Sequence, residues 1–132
     1  MHLKEQKIYV IQEHRARQLH WDLRLEMGGV LKSWAVPKEP PSKKGIKRLA
    51  IPVEDHPLDY ANFTGSIPED QYGAGTVMVW DKGTYELISM SENKIVFNLN
   101  GDKLKGVYCL IKTKYQEKEN WLFFKMQNED PI

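Results

Sequence analysis

Short runs of strand-forming residues, broken by turn residues every 8 to 15 positions, extend along the whole chain. That rhythm limits the fold more than any other feature, because it matches a small all-β barrel or sandwich with little helix. The runs are residues 8–13, 20–26, 30–36, 48–55, 76–80, 84–89, 94–99, 104–112 and 121–126. Gly28-Gly29 reads as a hairpin turn between two of them. Asp81-Lys82-Gly83 reads as another turn, and residues 15–19 as the one plausible helical turn. Pro52 suggests an edge or a bulge in its strand. Residues 37–47 hold three prolines, a glycine and four lysines, which is the composition of an exposed loop. Residues 56–75 carry Pro57, Gly65, Pro68, Gly73 and Gly75 and read as a long structured loop with little regular pairing.

The 132 residues fit one domain spanning 1–132, with a short N-terminal arm at 1–7 and a polar tail at 128–132. No apolar run reaches the length of a membrane span, and no secretory leader opens the chain. Cys109 sits in an apolar run and reads as a buried core thiol. A single cysteine forms no internal disulfide, so the cytoplasm is the default compartment. Net charge is only +1, yet residues 1–60 hold 11 Lys/Arg against 8 Asp/Glu, while residues 61–132 hold 8 against 10. The basic half is the one that carries the histidines, which hints at an anionic substrate.

The chemistry concentrates in His14-Arg-Ala-Arg-Gln-Leu-His20-Trp-Asp22-Leu-Arg24. Strand alternation puts His20, Asp22, Arg24 and Glu26 on one face, and Trp21, Leu23 and Leu25 on the other, facing the core. His14 lies six residues upstream and can fold back across a short turn. Two imidazoles and a carboxylate make a three-ligand metal site with positions open for water and substrate. Arg24 stands beside it as an anion clamp, or alternatively as an ion-pair partner of Glu26. The competing reading is a solvated strand face that happens to carry two histidines.

A second cluster is Glu54-Asp55-His56-Pro57-Leu58-Asp59-Tyr60. Glu54 and His56 share a strand face, with Arg48 in the same parity. A histidine among acidic neighbours tends to hold its proton, which suits a general acid or an anion clamp. Tyr60 can donate to a phosphoryl oxygen. The competing reading is a turn stabilised by Asp55 and Asp59. Lys38, Lys43, Lys44, Lys47 and Arg48 make a basic loop opposed by Glu39 alone, which could track a nucleic-acid backbone. Trp34, Trp80 and Trp121 lie inside strands and read as core rather than as base-stacking platforms.

Two long blocks carry a family resemblance. They are QEHRARQLHWDLRLEMGGVLKSWAVPK from Gln12 and RLAIPVEDHPLDYANFTGSIPEDQYGAGTVMVWDKGTY from Arg48, with a weaker match in LKGVYCLIKTK and WLFFKMQ. The chain resembles the 3′-phosphoesterase module of bacterial ligase D, most closely the stand-alone versions of archaea and some bacteria. The resemblance implies a β-barrel with a crescent-shaped polar groove and a Mn²⁺-dependent 3′-phosphatase. It implies action on 3′ ends of DNA or DNA/RNA primers in nonhomologous end joining. There a 3′-ribonucleoside is trimmed by a diesterase step, and the 3′-phosphate left behind is then removed.

By motif, His14, His20 and Asp22 match the metal ligands. Arg24, His56 and Tyr60 match the residues that hold the scissile phosphate, and Lys38, Arg48 and Glu54 the supporting network. Mn²⁺ suits the donors, with Co²⁺ as a substitute and Zn²⁺ able to bind. Ligase-linked modules carry a longer N-terminal arm whose charges help the diesterase step, so the short arm here bears on that step first. Ligase, polymerase and Ku-type partners would be separately encoded. Two other classes fit the same ligands: a non-haem Fe(II) oxygenase-like protein and a non-catalytic DNA-end-binding module.

Overall fold

A computed structural model describes residues 6–115 and 118–126. The expected polar tail and most of the N-terminal arm lie outside the described residues. The elements are β1 (Lys7–Arg15), β2 (Leu19–Met27), β3 (Val30–Val36), β4 (Lys47–His56), a 3-10 turn (Leu58–Asn62), β5 (Gly65–Ile67), β6 (Gly75–Met90), β7 (Lys94–Gly101), β8 (Lys105–Tyr115) and β9 (Lys118–Lys125). The sheet runs β1-β2-β3-β4-β9-β8-β7-β6, and a β1–β6 pairing closes these eight strands into a barrel, with β5 added on the start of β6.

The β2–β3 hairpin forms where the sequence places it. Gly28 and Gly29 both have positive φ, +59° and +85°, as a two-residue hairpin turn with matched twist requires. Alternation then sorts the side chains. Tyr9, Ile11, Leu23, Leu25, Phe97, Leu99, Leu110 and Phe123 fill the main core, and Trp34 meets Trp121 edge to face there, 6.1 Å between ring centroids. Trp21 is buried with them, Trp80 packs partly buried against them, and Cys109 is buried. The opposite face of β1 and β3 carries a small second cluster, Val10 and Leu31 under Ala61 of the 3-10 turn. Segment 57–74 therefore covers this face instead of wandering through solvent.

Two expectations fail. Residues 15–19 form no helical turn: Arg15 and Leu19 are cross-strand partners, joined by a bend at 16–18. Hairpin pairing there satisfies the backbone and brings His14 opposite His20. Asp81-Lys82-Gly83 is no turn either, because β6 runs through it for 16 residues. Asp81 is buried and its carboxylate accepts the N–H groups of Asp102, Lys103 and Leu104, each at 2.8 or 2.9 Å, along with the Tyr9 hydroxyl at 2.7 Å. Gly83 is required by close approach, since a Cβ there would lie 2.0 Å from the Asn100 carbonyl oxygen.

Pro52 sits where its missing N–H does no harm. Strand β9 pairs with β4 only from Lys47 to Ala50, so beyond that point β4 is an edge on that side.

Candidate active site

The polar face of β1 and β2 is a buried lining, not a solvated surface. Gln12, His14, Asp22, Arg24 and Ser33 are all buried. His14 pairs with His20 and Gln12 with Asp22 across the hairpin, so two cross-strand positions hold the triad and its support. Together with Glu54, His56, Tyr60 and Tyr72 of the overlying segments, these strands line an open cavity of about 750 Å³.

The ligand atoms of His14, His20 and Asp22 all lie within 4.8 Å of one another, close enough to share one ion. Backbone carbonyls fix both imidazoles. His14 Nε2 donates to the Gly73 carbonyl at 2.7 Å, which leaves Nδ1 facing Asp22 Oδ2 at 3.5 Å. His20 Nδ1 points to the Gln18 carbonyl at 3.3 Å, which leaves Nε2 facing Asp22 Oδ1 at 3.2 Å. Orientation of a ligating histidine through its other nitrogen is the usual support of a metal site. Burial pushes the Asp22 carboxyl up, but its bond with His20 and the charges of Arg24, His20 and His14 together hold it below the ordinary value. Chiefly through that same bond, His20 is raised.

Arg24 is the most heavily bonded side chain in the site. Its Nε donates to Gln12 Oε1 at 2.6 Å, and Nη1 to Ser33 Oγ at 2.8 Å and His56 Nδ1 at 3.0 Å. Nη2 donates to Asp22 Oδ2 at 3.4 Å. The guanidinium also lies 5.0 Å from the Tyr60 ring centroid. The alternative pairing with Glu26 is not what forms, since Glu26 Oε1 instead accepts the Ile8 N–H at 2.9 Å.

His56 departs from its sequence reading. Burial first, then the Arg24 charge, lowers its pKa, so it favours the neutral form despite Glu54 and Asp55 beside it. Its Nδ1 lies 3.0 Å from the Arg24 donor and 3.0 Å from the Glu54 carbonyl. Accepting from the cation is the pairing that matches a lowered pKa. Tyr60 packs on His56, 4.7 Å between centroids, and burial pushes its phenol up, so it stays a hydroxyl donor.

Glu54 lines the cavity, but Lys38 and Arg48 are not among the lining residues. Arg48 shares strand parity with Glu54 yet stands six residues away, roughly 20 Å along a strand. Its Nε donates to the Glu39 carbonyl at 2.8 Å, and Lys38 is exposed in the loop after β3.

Residues 12–112 match the family of the DNA ligase D 3′-phosphoesterase domain. The chain belongs to that family. It is 46% identical over 125 residues to the multifunctional non-homologous end joining protein LigD of Mycobacterium bovis, and 47% identical over 126 residues to that of Pseudomonas aeruginosa. These alignments take in 92% and 91% of this chain but only 16% and 15% of those proteins. The chain thus spans about one-sixth of the length of the curated relatives it matches.

Within this ligase D phosphoesterase-family chain, two supporting side chains escaped the sequence reading. Gln12 accepts from Arg24 and donates through Nε2 to the carbonyls of Tyr60 and Phe63, at 2.8 and 3.3 Å. Ser33 accepts from Arg24 and donates to the Leu31 carbonyl at 3.1 Å. Gln12 shares parity with His14, which was the one available signal; Ser33 offered none. Among the described residues, no helix is long and apolar enough to cross a membrane.

Proposed function

We propose that this chain is a divalent-metal-dependent phosphoesterase that acts on DNA 3′ ends and leaves a 3′-hydroxyl. The observation that carries this reading is the placement of Arg24. Its Nε–H, both Nη1 N–H groups and one Nη2 N–H have partners among the described residues. The remaining N–H is on Nη2, the nitrogen next to Asp22, and is left for an incoming oxygen. A buried cation rigidly held against a metal triad is the arrangement a phosphoryl group needs.

His14, His20 and Asp22 would hold the ion. Their nitrogen and carboxylate donors suit Mn²⁺, accept Co²⁺ and also bind Zn²⁺. The ion, when bound, supplies Lewis-acid polarisation of a phosphoryl oxygen. Arg24 binds the phosphoryl group and Tyr60 donates to it from the cavity wall. Neutral His56, with Nδ1 accepting from Arg24, carries its proton on Nε2. It stabilises growing charge as an N–H donor instead of releasing a proton to the leaving 3′-oxygen. Glu54 lines the cavity beside His56 and belongs to the supporting network of the site. Lys38 and Arg48, outside the cavity, meet the flanking nucleic-acid backbone.

The test is a DNA primer ending in a 3′-phosphate, incubated with and without Mn²⁺. Appearance of the 3′-hydroxyl only with metal is the expected result, and a terminal ribonucleotide in place of the phosphate tests the diesterase step. Binding without turnover would reduce the protein to an end-binding module. A requirement for ferrous ion and a 2-oxoacid would make it an oxygenase. His56→Ala should keep its metal and slow turnover by about 10²- to 10⁴-fold, with part of the rate recovered in His56→Gln. Unchanged kinetics in the alanine variant would remove His56 from the site.

A further inference from the structure

Tyr72 lines the same cavity as the metal triad, yet its side chain is 94% exposed. The backbone beneath it is tightly placed. Two consecutive turns, Gln71 N–H to the Pro68 carbonyl at 3.0 Å and Ala74 N–H to the Gln71 carbonyl at 3.2 Å, lift the residue to the tip of its loop. Its neighbour Gly73 grips His14 through the 2.7 Å bond already described. An aromatic side chain is therefore presented to the cavity one residue from the contact with His14, with no described residue covering it.

The cavity has two chemistries. Its lining mixes polar side chains (the triad, Arg24, Glu54 and His56) with apolar ones (Ala35, Pro52, Val53 and Ile67). A bare phosphate would use only the first. A 3′-phosphate on a nucleotide brings a sugar and a base with it, and an unpaired base offers a flat π-face to a tyrosine.

We propose that Tyr72 stacks on the base of the 3′-terminal nucleotide, with the apolar lining residues available to the sugar. The site then binds the terminal nucleotide as a unit and accepts any of the four bases, since every base has a π-face. The phosphate anchor in this proposal rests on the phosphoesterase reading above.

The test compares wild type, Tyr72→Ala and Tyr72→Phe on two oligonucleotides ending in a 3′-phosphate, one with a normal terminal base and one abasic at that position. Removing the ring should raise KM about 5- to 100-fold with kcat unchanged, and phenylalanine should restore the wild-type value. Wild type should lose the same factor on the abasic substrate, and Tyr72→Ala should lose nothing more there. Equal KM for wild type and Tyr72→Ala on the normal substrate overturns the proposal, as does an alanine effect undiminished on the abasic one. If wild type turns over neither substrate, the phosphoesterase reading fails by itself. Stacking is then read without turnover, from an oligonucleotide ending in 2-aminopurine 3′-phosphate in the presence of Mn²⁺. Its fluorescence should be quenched by wild type and Tyr72→Phe but not by Tyr72→Ala, and equal quenching by all three overturns the stacking proposal. Thermal unfolding midpoints of the three proteins should coincide, because the ring is almost fully exposed among the described residues.

Discussion

Gln12 is uncharged and fully buried, and every polar atom of its amide is used. It joins Arg24 on one side to the carbonyls that end the 3-10 turn on the other. Truncation to alanine strands those groups in a buried place, which costs about 1–3 kcal/mol. Gln12→Ala should therefore unfold at lower urea and turn over more slowly, while its affinity for metal, measured by titration, stays near wild type. The candidate metal group is different. That His14, His20 and Asp22 come together could be read from the sequence, because their side chains have distinctive chemistry and their spacing folds them across one hairpin. Glutamine and serine on a strand face look the same whether they brace a buried arginine or face water. For His56, the acidic neighbours are close in sequence, whereas burial and Arg24, which push its pKa down, act only in space.

Strand boundaries were legible wherever local pattern and local pairing agreed, as at Gly28-Gly29. They failed at Asp81-Lys82-Gly83, where turn-forming residue types serve a tertiary purpose. Asp81 closes the turn between β7 and β8 from a different strand, and Gly83 lets two backbones approach. Neither cause is local, so no window of sequence contains it. The same strand is bulged: Ile11 pairs with Asp81 and Gln12 with Val79, leaving Trp80 as the extra residue. Asp81→Ala would orphan three backbone N–H groups and the Tyr9 hydroxyl. A loss of about 3 kcal/mol or more is expected in urea denaturation, with the activity of the remaining folded protein little changed. Residues 56–75 read as a loop from their composition, and the bond by which Gly73 holds His14 depends on a fold-back that residue types do not encode.

At the scale of the molecule, a site that binds an ion only when folded adds to stability by mass action. Free Mn²⁺ at a hundred times its dissociation constant should add about 2.7 kcal/mol, seen as a rise in Tm, and Asp22→Ala should abolish that rise. The effect has a definite pH sign. His20 has a raised pKa in the metal-free fold. That pairing stabilises the protein below the ordinary histidine pKa and fades as pH rises through the raised value. An ion needs the neutral imidazole, so the Mn²⁺-dependent rise in Tm should grow in the opposite direction, toward alkaline pH, and shrink as protons compete.

Strand β1 has a double duty in this barrel. It pairs with β2 to assemble the triad and with β6 to close the cylinder, and His14 lies between the two, opposite His20 on one side and Val77 on the other. The seam of the barrel and the His14–His20–Asp22 group share the same stretch of backbone. On the proposed function, turnover is thus a gauge of closure: a molecule that parts at this seam loses that group while most of its strands remain paired.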